Sequence, residues 1–137
     1  MTTSNIKAVI QCDIHKVWET VSAVERYPTW RSGVSKTEVI DEKRFTEYTK
    51  DGYSTTFTVT AAEPHKRWEV DLENSHIKGH WTGVFVSQGS ETEIDFTVCA
   101  AAKKLSTRPI GKSVFENVYL KKELAQFVTD LKKSLEC

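Results

Sequence analysis

Residues 67–72 read Arg67-Trp68-Glu69-Val70-Asp71-Leu72, with charged and apolar side chains in strict alternation. A period of two puts Trp68, Val70 and Leu72 on one face of a strand and three ionisable groups on the other. One face is then buried and one wet, the mark of an antiparallel sheet. The pattern extends both ways. Upstream, Ser54–Ala62 carries Phe57, Val59 and Ala61 on one face. Before it, Val34–Asp41 and Arg44–Lys50 flank a turn at Asp41-Glu42-Lys43, and Asp51-Gly52 is a hairpin turn signal. Downstream, the stretch His76–Ser87 has Trp81 and Phe85 on one face, and Ile94, Phe96 and Val98 alternate with Glu93, Asp95 and Thr97. Turns at Glu63-Pro64-His65-Lys66 and Gln88-Gly89-Ser90 separate these runs.

The period changes at the two ends. Ser4–Gln11 still alternates, with Ile6, Ala8 and Ile10 on one face. Asp13 is then a good N-cap, and Ile14, Val17, Trp18 and Val21 follow at helical spacing. Pro28 ends that helix, so Tyr27-Pro28-Thr29-Trp30 is expected as a loop or a second short helix. At the far end, Pro109 or the capping box Ser113-x-x-Glu116 opens a helix that runs to Leu135. The predicted order is strand, one or two short helices, six strands, long helix. That is an α+β domain spanning residues 1–137 as one unit, its helices on one side of the sheet.

Lys plus Arg is 19 and Asp plus Glu is 19, which gives zero formal net charge over 137 residues. Such a balance argues against a nucleic-acid partner. No apolar run approaches the roughly 20 residues of a membrane span. The start, Met1-Thr2-Thr3-Ser4-Asn5, has no basic or apolar region of a secretory signal. Cys12, Cys99 and Cys137 are odd in number and widely spaced, so reduced thiols and a cytoplasmic location are expected.

The chain is rich in rings, with Trp 4, Tyr 4 and Phe 6. Phe57, Trp68, Trp81, Phe85 and Phe96 fall on strand positions that would face a helix, and Tyr27 and Trp30 lie in the loop after the first helix. They are either an ordinary aromatic core or the walls of a small-molecule site. The last helix adds a second signal. Leu124, Val128, Leu131 and Leu135 form an apolar stripe flanked by Ala125 and Phe127. Traced back, the same sector meets Lys121 and Asn117. An unpaired ammonium does not belong in a dry core. This half of the helix therefore either overhangs solvent or borders a pocket that Asn117 and Lys121 reach.

Chemical motifs are missing. His76 and His80 would share a strand face, but two histidines without a third ligand do not make a metal site. His15 and His65 read as surface residues. There is no GxSxG, HExxH or P-loop pattern, and no cofactor is expected. The pairs Lys103-Lys104, Lys121-Lys122 and Lys132-Lys133 read as solvated surface.

Several stretches carry a resemblance. They are Asp13-Ile14-His15-Lys16-Val17-Trp18, Glu25-Arg26-Tyr27-Pro28-Thr29-Trp30, Glu63-Pro64-His65-Lys66-Arg67-Trp68, Gly79-His80-Trp81-Thr82 and Leu131-Lys132-Lys133-Ser134-Leu135-Glu136. Together with the element order, they resemble the START / birch-pollen-allergen-like superfamily, also called SRPBCC or polyketide cyclase/dehydrase-like proteins. Many members have proline where this chain has Ile14. The resemblance implies a helix-grip fold, a seven-stranded antiparallel sheet wrapped around the C-terminal helix. It also implies a cavity for an apolar ligand such as a lipid, sterol, polyketide or quinone.

The leading expectation is therefore a carrier or sensor of a small hydrophobic molecule. Its candidate ligand-binding residues are Tyr27, Trp30, Tyr48, Phe57, Trp68, His80, Trp81, Phe85, Phe96, Asn117 and Lys121. A cyclase or dehydratase, with Asn117, Lys121, Tyr48 or His80 orienting an enolate, is the second. A protein-interaction module of the same fold is the third. The sequence assigns no catalytic residue, ligand identity or oligomeric state.

Overall fold

The computed structural model describes residues 2–103 and 109–135, with side chains described outside 109–117. Strand β1 (Thr2–Ile10) leads into helix α1 (Ile14–Ser22) and a 3-10 helix (Val24–Thr29). Six strands follow: β2 (Lys36–Val39), β3 (Arg44–Tyr48), β4 (Ser54–Glu63), β5 (Arg67–Glu73), β6 (Ile77–Gln88) and β7 (Glu91–Ala102). Helix α2 (Pro109–Ser134) closes the order. The strands form one sheet in the order β1-β7-β6-β5-β4-β3-β2, antiparallel throughout. This is the helix-grip architecture that the sequence resemblance implied.

Alternation decides which face is buried. Along β7, Thr92, Ile94, Phe96, Val98 and Ala100 are buried, and the residues between them are partly exposed. On β5, Trp68, Val70 and Leu72 are buried as the opening hexapeptide requires. α1 places Val17 and Val21 against this face. Its N-cap is Asp13, whose carboxylate accepts from the backbone N–H groups of His15 and Lys16 at 3.0 and 3.2 Å. The 3-10 helix holds Pro28 within it.

Four readings need correction. The second strand is shorter than expected. Val34 lies before it and is buried, its N–H donating to the Arg31 carbonyl, so it belongs to the loop. His76 precedes β6 and does not share a strand face with His80; it stacks on Tyr53 with ring centres 5.6 Å apart. On α2 the buried stripe runs Leu120, Leu124, Phe127, Val128 and Leu131, while Ala125 is exposed. Tracing back from Leu124 by three positions reaches Lys121, whereas the helix keeps its apolar face by stepping back four, to Leu120. Finally, Cys12 is buried and disulfide-bonded, against the expectation of reduced thiols. Cys99 is the free cysteine among the described residues. Asn117, Cys137 and the capping box Ser113-x-x-Glu116 lie outside the described side chains.

Two surface histidines tie elements together. His65, in the turn between β4 and β5, has φ 65°, a left-handed conformation that few non-glycine residues adopt. Its Nε2 lies 3.0 Å from Nδ1 of His15 at the start of α1, and its ring meets Trp18 edge-on.

Candidate functional site

A cavity of about 200 Å³ lies between the inner sheet face, the loop after the 3-10 helix and the middle of α2. Strands supply its floor. Phe45 and Phe57 stack in parallel from β3 and β4, with ring centres 4.9 Å apart. Trp68, Val70 and Leu72 of β5, Trp81 of β6 and Val98 of β7 continue it. Leu120, Leu124 and Phe127 of α2 form the roof. Every one of these positions follows from strand alternation or the α2 stripe. Covering them with an apolar ligand would stabilise the complex by roughly 25 cal/mol per Å² buried.

The cavity also has a charged corner. Nη1 of Arg31 donates to Oε2 of Glu47 at 2.7 Å, and both side chains are mostly buried. The guanidinium lies over two rings, 5.0 Å from the centre of Tyr27 and 4.8 Å from that of Phe127. Burial pushes the Glu47 carboxyl above the usual range, although Arg31 beside it pulls the other way. Tyr27 donates its hydroxyl to the Val21 carbonyl, so its ring faces the cavity and its polar end is engaged elsewhere. Burial raises that phenol far above its ordinary value. Further out, Thr49, Tyr53, Thr55, Asn74, Tyr119 and Glu123 line the wall. Tyr53 Oη lies 3.3 Å from Ser75 Oγ, and Asn74 Nδ2 donates to Thr55 Oγ1 at 3.2 Å.

Tyr27, Tyr48, Phe57, Trp68 and Trp81 line the cavity together. Five other candidates do not. Phe85 and Phe96 point inward but pack in the core beyond its edge, their ring centres 5.7 Å apart. Trp30 packs against Tyr27 and Phe127 and borders a separate open groove with Arg26, Asp130 and Lys133. Lys121 is exposed on α2, off the cavity wall. His80 is on the outer sheet face, because its register partners are Asp71 and Cys99, which face outward. Its ring nitrogens meet Asp71 Oδ1 at 2.6 Å and Glu69 Oε1 at 2.7 Å. Asn117 lies outside the described side chains.

Sequence reasoning missed Arg31, Glu47 and Glu123. Glu47 lies two residues after Phe45 on β3, so alternation turns it to the same inner face, where a charge is unexpected. Only a partner from the distant loop makes its burial tolerable, and no local pattern reveals that partner.

Among the described residues, no group of three or more His, Cys, Asp or Glu side chains is placed to hold a metal, and no helix is long and apolar enough to cross a membrane.

The family model described as polyketide cyclase / dehydrase and lipid transport matches residues 1–136. None of the curated proteins matches the chain. Solved structures share its fold. A START superfamily protein from Mycobacterium smegmatis is 14% identical with a TM-score of 0.81, over 98% of this chain and 97% of that one. The Zhui aromatase/cyclase from Streptomyces sp. R1128 is 10% identical with a TM-score of 0.82, over 97% and 92%. A conserved protein from Geobacillus kaustophilus is 16% identical with a TM-score of 0.79, over 97% and 94%.

Proposed function

Because the chain belongs to the polyketide cyclase / dehydrase and lipid transport family, we propose that it binds a small hydrophobic molecule in this cavity, as a carrier or sensor. The supporting observation is a ring-lined void with one ion pair, Arg31–Glu47, at its wall. Apolar walls give affinity, and a few fixed polar groups orient the ligand. The volume, about 200 Å³, is below the roughly 300 Å³ at which drug-sized pockets begin. It favours a compound of one or two rings over a sterol or a two-chain lipid. Tyr48, Phe57, Trp68 and Trp81 are the proposed ligand contacts.

Trp68 and Trp81 make the test direct. Titration with a panel of small quinones, phenolic polyketides and short-chain fatty acids should give saturable quenching of tryptophan emission. Native mass spectrometry should show one equivalent bound. Val98→Phe, which fills the cavity from β7, should abolish the quenching. No saturable binding across the panel would remove the proposal.

Glu47 favours a second reading, an enzyme of the cyclase/dehydratase kind. A buried carboxyl with a raised pKa on a cavity wall is suited to moving a proton. In that case Glu47→Gln would retain binding and lose turnover.

A further inference from the structure

Among the described residues, the charges on the cavity wall do not balance. Among its described lining residues, Arg31 is the cation, and Glu47 and Glu123 are the acids. Arg31 is engaged by Glu47 at 2.7 Å. Glu123 has no ion pair among the described residues. It stands one helical turn after Tyr119 on α2, and it is exposed. The Tyr119 phenol is raised first by its own burial and then by Glu123, Tyr53 and Glu47, so these groups lie near one another on the wall.

We propose that the cavity selects a ligand bearing a positive charge: an organic ammonium on an apolar body of one or two rings. Its charged end lies against Glu123 and the rings of Tyr53 and Tyr119. This rests on the cavity-binding reading and adds the ligand's charge. The ring faces of this wall already receive cations, since Arg31 lies over Tyr27 and Phe127, and Lys36 lies 5.4 Å from the centre of the Tyr48 ring. Aromatic faces attract a cation through the ring quadrupole, most strongly where water is excluded. An anionic ligand would meet Glu123 directly. To gain Arg31 it would have to displace Glu47, leaving that mostly buried carboxylate without a partner. Lys121 and Lys122 do not relieve the imbalance, because both are exposed and off the wall.

Three isosteres separate charge from shape: 1-naphthylmethylammonium, 1-naphthylmethanol and 1-naphthoate, titrated calorimetrically at pH 7 and low salt. The ammonium is expected to bind roughly tenfold tighter than the naphthoate, the order of effect that solvent-exposed charge contacts give. It should also bind several-fold tighter than the alcohol, and lose that lead as salt rises. Glu123→Gln, a change at an exposed helix position, should erase the lead. If the alcohol binds and the ammonium has no lead, or if the lead survives Glu123→Gln, the charge inference is overturned while the cavity reading stands. If none of the three binds, both are overturned.

Discussion

Arg31 and Glu47 meet at 2.7 Å, with side chains only 15% and 12% exposed, although the two residues come from a loop and a strand. The desolvation of two such ions is repaid only while both are present. Removing one should be costly: Arg31→Met is expected to lower unfolding stability by about 3 kcal/mol. The double variant Arg31→Met/Glu47→Leu should recover most of that loss. A double-mutant cycle in urea measures the coupling. Additive losses would mean that the pair is not coupled.

The same pair has a pH signature. Burial raises Glu47 in the folded state above the ordinary glutamate value of 4.5. The folded protein therefore holds that proton more tightly than the unfolded chain. The contribution from Glu47 is fully present below the unfolded value and declines as pH rises through the folded one. Wild-type stability should carry this falling component above pH 4.5, and Glu47→Gln should lack it. Equal pH slopes for the two proteins would contradict the assignment.

On the outer face, His80 titrates in the opposite setting. Burial pulls its imidazole down, but hydrogen bonds to Asp71 and Glu69 outweigh that and raise it above 6.5. Its stabilising share is complete below the unfolded value and lost as pH climbs through the folded one. Glu69 is lowered, chiefly by its hydrogen bond to His80, so its share is lost as pH falls through its own folded value. The region is also partly exposed, so salt will weaken both effects. His80→Gln should flatten the stability curve above pH 6.5. An NMR titration placing His80 at or below 6.5 would refute the clamp.

Gly79 tests how tightly the sheet folds upon itself. A methyl there would sit 2.5 Å from the Cys99 carbonyl oxygen and 2.8 Å from the Ala100 side chain. The nearest clash is with backbone, which cannot rotate away. Gly79→Ala should cost roughly 1–3 kcal/mol as overpacking, read from thermal or urea unfolding. At Gly33, where nothing lies within 4 Å, alanine should be tolerated. Equal behaviour at the two sites would refute the account.

The sheet was legible because its inner face is written in period two. Trp68, Val70 and Leu72 state it, and Ile94, Phe96 and Val98 repeat it. Where the reading slipped, the local signal admitted two solutions. On α2, steps of three and four both preserve a helical face, and only contact with the sheet selects Leu120 over Lys121. His80 alternates with apolar residues and was therefore ambiguous until its partners Asp71 and Cys99 fixed its face. The aromatic floor of the cavity could be read from single strands. Its charged corner could not, because Arg31 and Glu47 are joined by tertiary packing across sixteen residues of chain.

The corner is held from behind by Asp130. Its carboxylate is nearly buried and accepts from the Ser32 backbone N–H at 2.9 Å, the Ser32 hydroxyl at 3.0 Å and the Gln126 side chain at 2.9 Å. Ser32 follows Arg31, so this link fastens the loop that carries the guanidinium to α2. Asp130→Ala would remove its hydrogen bonds to Ser32 and Gln126, each worth about 1 kcal/mol. It should also loosen Arg31 and weaken ligand binding, although Asp130 does not line the cavity. Asp130→Asn retains one acceptor oxygen and should restore part of both. Calorimetric binding and urea unfolding of the two variants make the comparison. If Asp130→Ala lost stability but bound ligand as well as wild type, the loop would not depend on this link for its position.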